Sequence, residues 1–197
     1  MQVEPVTLVG AVARLEPLGR QHVDGLLAAA ADPVIWRWMP EDPSGSRPAM
    51  AQWVDAALAQ RDAGTQQPFA IIAKASGAVI GSTRYLEIMP QDHTLEIGWT
   101  WLAREVQRTA VNTECKYLLL RHAFEDLGAM RVQLKTDLRN TRSQAAIERL
   151  GAVREGALRK HRIVQGSHQR TTVIYSIIDD EWPAVKARLE GWLAGPL

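Results

Sequence analysis

A single cysteine, Cys115, occurs among 197 residues. One thiol excludes an intrachain disulfide and any all-cysteine metal site. The histidines His22, His93, His122, His161 and His168 fall at no spacing that suits a metal ion. A structural or surface role is expected for each, and no metal is expected. No uncharged apolar run reaches the roughly 18 residues that a membrane helix needs. Glu4, Arg14 and Glu16 interrupt the stretch where a signal peptide would be apolar, so no membrane partner is expected and the cytoplasm is the expected location. An excess of charge of one sign is also lacking. The net charge is +1, which gives no global field to draw nucleic acid or an anionic membrane. Repeats, low-complexity tracts and an interdomain linker are missing, as are the glycine spacings of P-loops and dinucleotide folds.

What is present suits an ordinary soluble domain: 46% apolar and 23% charged residues. The length allows one domain, 1–197, with a substantial core. Seven tryptophans are many for this length and serve cores or binding grooves. Cys115 lies within a helical apolar pattern and reads as a small core residue; no histidine neighbour can be inferred to make it a nucleophile.

The periodicities alternate between the strand and helix types. A first strand runs about Val12 to Leu18 and a helix from His22 to Ala31. The apolar, aromatic stretch from Val34 to Pro40 is too broken for one element. A second helix fits Ala49 to Ala63. Strands at Phe69–Ala73 and Val79–Glu87 pair about the Ser76-Gly77 turn, and a third spans His93–Leu102. A long helix from Asn112 to Leu127 follows. It has Val111, Cys115, Leu118, Leu119 and Ala123 near one side and Glu114, Lys116, Arg121 and Glu125 on the other. Gly128 ends it. Next come a strand at Val132–Thr136, a helix from the N-cap Asn140 to Leu150, strands at Val153–Gln165 and Thr171–Ile178, and a helix from Asp180 to Leu193. A strand, a crossover helix and another strand imply a partly parallel sheet.

The chain is organised around Gln107-Arg108-Thr109-Ala110-Val111-Asn112-Thr113-Glu114. Strand, tight loop and helix aim unpaired first-turn N–H groups, and the positive end of the helix dipole, at an anion. An ordinary packed junction is the alternative. This segment resembles the acyl-CoA loop of the GNAT N-acetyltransferases, whose usual form is Gln/Arg-x-x-Gly-x-Gly/Ala. Ala110 and Asn112 stand where that form has small residues, so both glycines are absent. It is similar to the variant Gln-Arg-Thr-x-Val-Asn-Thr-Glu of the ribosomal-protein N-terminal (RimJ/RimL-like) acetyltransferase branch. The Leu95-Glu96-Ile97-Gly98 strand, Asn140-x-x-Ser143 and Arg149-Leu150-Gly151-Ala152 extend the likeness over nearly the whole chain.

The resemblance implies an α/β single-domain GNAT fold: a mixed, mostly antiparallel sheet with a central parallel splay, flanked by helices. It also implies acetyl-CoA as acyl donor, without metal. The pantetheine arm would lie between the diverging strands, bonded to backbone near Trp101 and Leu102 and to Asn140. The pyrophosphate would sit on Gln107, Arg108, Thr109, Ala110, Val111, Asn112 and Thr113. Glu96 is the candidate to accept the amine's proton, facing the side opposite Leu95 and Ile97; the alternative is a solvated carboxylate or a structural ion pair. Ser143 is the candidate near the departing sulfur, the alternative being a helix-start residue. Trp36, Trp38, Met39 and Tyr85 are candidates for the acceptor wall, with His93 in reserve at the strand start. Arg159-Lys160-His161-Arg162, with His168 and Arg170 across the hairpin, reads as a solvated charge cluster; the alternative is a face for an acidic or phosphate-bearing substrate.

The expected activity is acetyl transfer to a primary amine, with a protein N-terminal α-amine leading. A small-molecule amine, amino-acid conjugate or antibiotic is the alternative acceptor, and a non-catalytic acyl-CoA-binding regulator the alternative class. A homodimer is implied by the resemblance alone.

Overall fold

The computed structural model describes residues 1–195, so the last two residues of the expected 1–197 domain lie outside the described residues. The strands β1 (Leu8–Val9), β2 (Ala13–Pro17), β3 (Gln66–Ala73), β4 (Val79–Met89) and β5 (Thr94–Leu102) form an antiparallel meander. β6 (Arg131–Asp137) lies parallel to β5. β7 (Val153–Val164) and β8 (His168–Ile178) close an eight-stranded sheet of order β1-β2-β3-β4-β5-β6-β8-β7. The expected mixed sheet with one parallel pair is therefore present. Five α-helices flank it: α1 (Val23–Ala29), α2 (Arg47–Asp62), α3 (Ala110–Arg121), α4 (Thr141–Leu150) and α5 (Trp182–Leu193).

Each sheet face has its own core. On one, Leu95, Ile97, Val132 and Tyr175 pack with Cys115, Leu118 and Leu119 of α3 and Val185 and Leu189 of α5. On the other, Ala70, Ile72 and Trp101 pack with Leu26 of α1, with Trp53 and Val54 of α2, and with Trp36. Burial drives the Cys115 thiol up to about 12, as suits a core residue rather than a nucleophile. The broken stretch after α1 is a 3-10 helix, Pro33–Trp38, capped by the Asp32 carboxylate. The indole N–H of Trp36 donates to the Ala30 carbonyl at 3.1 Å.

Periodicity fails at two residues of α3. Glu114 and Lys116, expected on an outer face, are both buried. The Glu114 carboxylate accepts backbone N–H groups of Ala11, Val12 and Ala13 at 2.6, 2.9 and 2.7 Å, fastening the β1–β2 turn to the helix. Three charge-assisted bonds offset the burial of the anion. The expected helix to Leu127 also changes character. After Arg121 it widens into a π turn over His122–Asp126.

β5 carries the feature that shapes the centre of the molecule. Its pairing with β4 slips between Ser82 and Arg84, and Trp99 adopts a left-handed φ of 51°. One extra residue in a strand reverses which side chains face which side. Leu95 and Ile97 face the α3 core, whereas Trp99 and Trp101 join the α1–α2 core. The displaced Trp99 ring lies against the Arg84 guanidinium at 4.5 Å, and the Trp53 ring lies against it at 4.4 Å. Burial lowers Arg84 to about 10, opposed by the charge of Glu41.

Candidate active site

β5 and β6 pair only from Thr94↔Arg131 to Glu96↔Gln133. Beyond that point β5 turns away through its bulge, and the strands diverge. The backbone groups of Ile97 onward on β5, and of Leu134 onward on β6, are not paired with one another across the gap. A cavity of about 370 Å³ occupies the opening, within the usual range for small-molecule sites.

Along β5 the cavity runs from Glu96 past Trp101 and Leu102 to the Gln107–Asn112 loop. At the loop, Gln107 ties two elements together: its amide N–H donates to the Leu102 carbonyl at 2.9 Å, and its amide oxygen accepts from Arg142 at 3.1 Å. Thr109 caps α3 through its hydroxyl oxygen, which accepts the Val111 N–H at 3.3 Å. The left-handed residue of the loop is Arg108, with φ of 64°. Ala110 and Asn112 lie inside α3 in ordinary helical conformation. The missing glycines therefore cost nothing at those two positions, and the backbone strain is held by Arg108. Arg108, Arg142 and Arg149 all line this end.

Asn140 and Ser143 line the wall opposite. The Asn140 side chain caps α4, accepting the Ser143 N–H at 3.1 Å. The Ser143 hydroxyl makes no hydrogen bond among the described residues.

Glu96 lies where strand alternation puts it, on the face opposite Leu95 and Ile97, but it is not solvated: it is 1% exposed. Its carboxylate accepts from Lys135 Nζ at 2.7 Å and from the Gln133 amide at 3.0 Å. Lys135 also reaches Glu87 at 2.7 Å. Burial raises the pKa of Glu96 above the ordinary carboxylate value, Lys135 and Gln133 oppose the rise, and Glu87 adds to it. Gly98 makes room for the carboxylate, since a Cβ there would lie 2.8 Å from Glu96 Oε1.

Trp38 and Met39 line the cavity, as expected. Arg139 stacks on the Trp38 ring at 5.0 Å while its guanidinium holds Asp137. The other acceptor-wall candidates are elsewhere. Tyr85 is fully buried among core residues, its hydroxyl donating to the Leu119 carbonyl at 2.6 Å. Trp36 is buried against Trp101, ring centroids 5.0 Å apart. His93 stands outside the cavity at the far end of β5, where its Nδ1 lies 2.9 Å from the Gly128 carbonyl. Aromatic residues near a cleft in sequence are commonly absorbed by the core, and Tyr85 and Trp36 are. Ala110, Val111 and Thr113 do not line the cavity either. They form the first turn of α3, with Val111 in the core and the Thr113 hydroxyl accepting from Arg149 at 3.3 Å.

Sequence reasoning missed several residues in and beside the cavity. Lys116 is 6% exposed, lines the cavity, and donates to the Thr100 hydroxyl at 2.7 Å. Burial lowers it to about 8, against the opposing pull of Cys115 and Glu96. Its spacing of four from Asn112 was an available signal, since residues four apart share a helix face. Gln165, in the β7–β8 turn, had none. Its amide donates to the carbonyls of Trp36 at 2.8 Å and Met39 at 3.0 Å, and so fastens the hairpin tip over the 3-10 segment. Arg162 and Arg170 both line the cavity, Arg170 buried and Arg162 half-exposed at the rim. Among the described residues, no group of three His, Cys, Asp or Glu could hold a metal, and no helix is long and apolar enough to cross a membrane.

Residues 13–153 match the family model described as acetyltransferase (GNAT) domain. The chain is 31% identical over 110 residues to YdaF of Bacillus subtilis (strain 168), provisionally named a ribosomal N-acetyltransferase; the match spans 56% of this chain and 59% of that protein. The crystal structure of a GCN5-related N-acetyltransferase from Brucella melitensis superposes with a TM-score of 0.92 at 33% identity, covering 98% of this chain and 88% of that one. A provisionally named acetyltransferase from T. thermophilus does so with a TM-score of 0.88 at 40% identity, covering 98% and 100%. A splayed parallel pair, a helix-start loop beside it and these matches agree, and the chain belongs to the GNAT acetyltransferase family.

Proposed function

We propose that the protein transfers an acetyl group from acetyl-CoA to a primary amine, with the α-amine of a protein N-terminus as leading acceptor. The observation that carries this reading is the continuous cavity joining the arginine-rich start of α3 to a buried, hydrogen-bonded carboxylate, Glu96. The donor fits the residues present. First-turn N–H groups and Arg108, Arg142 and Arg149 suit phosphates. Strand backbone left without a partner across the β5–β6 gap beyond Glu96 suits an amide-bearing arm, and Leu134, Ile147 and Leu150 give it an apolar lining.

Bound acetyl-CoA would supply an activated acetyl thioester. Glu96 takes up the proton of the amine, directly or through one water. Its raised pKa brings it nearer to the working pH of a base. Lys135 and Gln133 fix its orientation. Ser143, with an uncommitted hydroxyl at the start of α4, presents a hydrogen-bond donor on the opposite wall. The N-terminal preference is supported by the likeness to YdaF, named for ribosomal N-acetylation.

The test is incubation with acetyl-CoA and a panel of amines, with CoA release and addition of one acetyl group followed together. Transfer to free but not blocked peptide N-termini is the expected result. Transfer confined to polyamines, aminoglycosides or aminoacyl conjugates would replace the acceptor. Folded protein that neither binds acetyl-CoA saturably nor acetylates any amine would overturn the reading.

A further inference from the structure

Arg170 on β8 is 8% exposed, and its Nε is buried with no hydrogen-bond partner among the described residues. No carboxylate lies within ion-pair distance of it among the described residues. Asp137, whose charge favours the cation, is committed to Arg139 at 3.2 Å. Register sets Arg162 of β7 opposite Arg170. Like charges facing each other across two strands repel, and both of these side chains line the cavity. Arg162 has only Glu87, at 3.6 Å, among the described residues. Lys135, on the neighbouring strand, is shared between Glu87 and Glu96. The positive field is felt next door: burial, then Arg162, Lys135 and Arg170, lowers His161 below its ordinary value. A guanidinium buried without an ion pair of its own is costly to maintain, although the charges of Asp137 and Glu96 favour it, and its planar fork matches a carboxylate or phosphate.

We infer that Arg170 and Arg162 form a subsite for a compact oxyanion, a carboxylate or phosphate, carried by the acceptor close to the amine that is acetylated. This rests on the acetyl-transfer reading above. The phosphates of the donor have their own cations in Arg108, Arg142 and Arg149 beside the α3 loop. Arg162 and Arg170 belong instead with Glu87 and Glu96, at the end where the amine would lose its proton. The acceptor class is therefore an amine with a nearby negative charge. An acidic residue close behind a peptide N-terminus and a phosphorylated small amine are its two sources.

The experiment has a transfer arm and a binding arm. Acceptors are paired so that only one charged group differs: free-N-terminal peptides with Asp or Asn at the second position, and a small amine with a phosphate or its neutral ester. Wild type is expected to favour the charged member of at least one pair by about tenfold in kcat/KM, and the pair identifies the source. In Arg170→Gln that ratio falls to about one. In the binding arm, inorganic phosphate is added to CoA-saturated protein; it should raise the melting temperature of wild type more than that of Arg170→Gln. Should Arg170→Gln not fold, Arg162→Gln, half-exposed on the hairpin, is compared instead, with a reduced ratio expected.

Equal use of charged and neutral acceptors by wild type, with phosphate acting alike on wild type and variant, overturns the subsite and leaves the reaction standing. Arg170-dependent stabilisation by phosphate, without acetylation of any amine, supports the subsite and sinks the transfer reading instead.

Discussion

Replacing Lys116 by Met should make the protein more stable at neutral pH. The ammonium is buried, and its pKa falls from the ordinary 10.5 to about 8 because burial disfavours the charge. That drop corresponds to about 3 kcal/mol of penalty while the group is protonated. Against it stands one hydrogen bond to Thr100, about 1 kcal/mol. Thr100 is not stranded by the change, because its hydroxyl also meets that of Thr83 at 2.8 Å. Met nearly matches the volume of the side chain it replaces, so a net gain of about 2 kcal/mol is expected at pH 7, or roughly 4–8 °C in melting temperature for a domain of this size. The pH dependence identifies the cause. Folded Lys116 loses its proton more readily than the unfolded chain does, so the unfolded state binds more protons between about pH 8 and 10.5. Wild-type stability contributed by this residue therefore rises through that window, and the penalty is full below it. The advantage of Lys116→Met should be largest at pH 7 and shrink steadily towards pH 10. Urea titrations of both proteins at four pH values would show this. A Met variant no more stable than wild type at pH 7, or an advantage that ignores pH, would refute the reasoning.

Glu96→Gln should keep the fold and most of the affinity for CoA but slow acetyl transfer by about 100-fold or more. In wild type the rate should climb as pH rises through the elevated pKa of Glu96, because only the deprotonated form accepts a proton; single-turnover rates across pH would reveal the loss of that limb in the variant. Arg108→Gly relaxes a left-handed residue, so thermal unfolding should show a gain of up to about 1 kcal/mol, while calorimetry should show CoA binding weakened about tenfold by loss of the cation. Both effects must appear together, since a gain in stability with unchanged affinity removes Arg108 from the phosphate site. Glu114→Gln cannot satisfy three backbone donors as a carboxylate does, and denaturant unfolding should show a loss of about 2 kcal/mol or more.

The strands from Ala13 onward, the three-strand meander that leads into the parallel crossover, and the loop-to-helix junction were legible because each follows from local period and turn chemistry, whereas the two-residue strand Leu8–Val9 is too short to show a period. Glu96 was legible too, since alternation from Leu95 and Ile97 fixes its side of the sheet whatever packs there. What periodicity cannot report is whether a charged residue has found a partner far along the chain. Glu114 looked solvent-facing, yet its three donors lie about a hundred positions earlier. Arg159, Lys160, His161 and Arg162 are exposed as a solvated cluster would be, but Arg170 is buried, and nothing local shows that its part of the hairpin faces the splay. Tyr85 and Trp36 were misassigned for the converse reason: their polar atoms bond to carbonyls inside the core, so a polar tip is no sign of a cleft. The bulge at Trp99 escaped altogether. It resides in a backbone angle that a run of Ile, Gly, Trp and Thr does not advertise.

That bulge sets how the gene can change. Its extra residue acts as a frame-shift in three dimensions, confined to one strand. Flattening it at unchanged length would restore a plain alternation and would send Trp101 to the side now held by Leu102. Both cores would lose their fitted side chains at once, and Arg84 would lose one of the two rings that lie against it. Substitutions on β5 can be repaired one face at a time, whereas a change that flattens the bulge cannot. Selection on this strand should therefore act on the backbone angle at Trp99 as much as on any side chain, the left-handed turn being kept wherever Trp101 and Leu102 keep their separate faces.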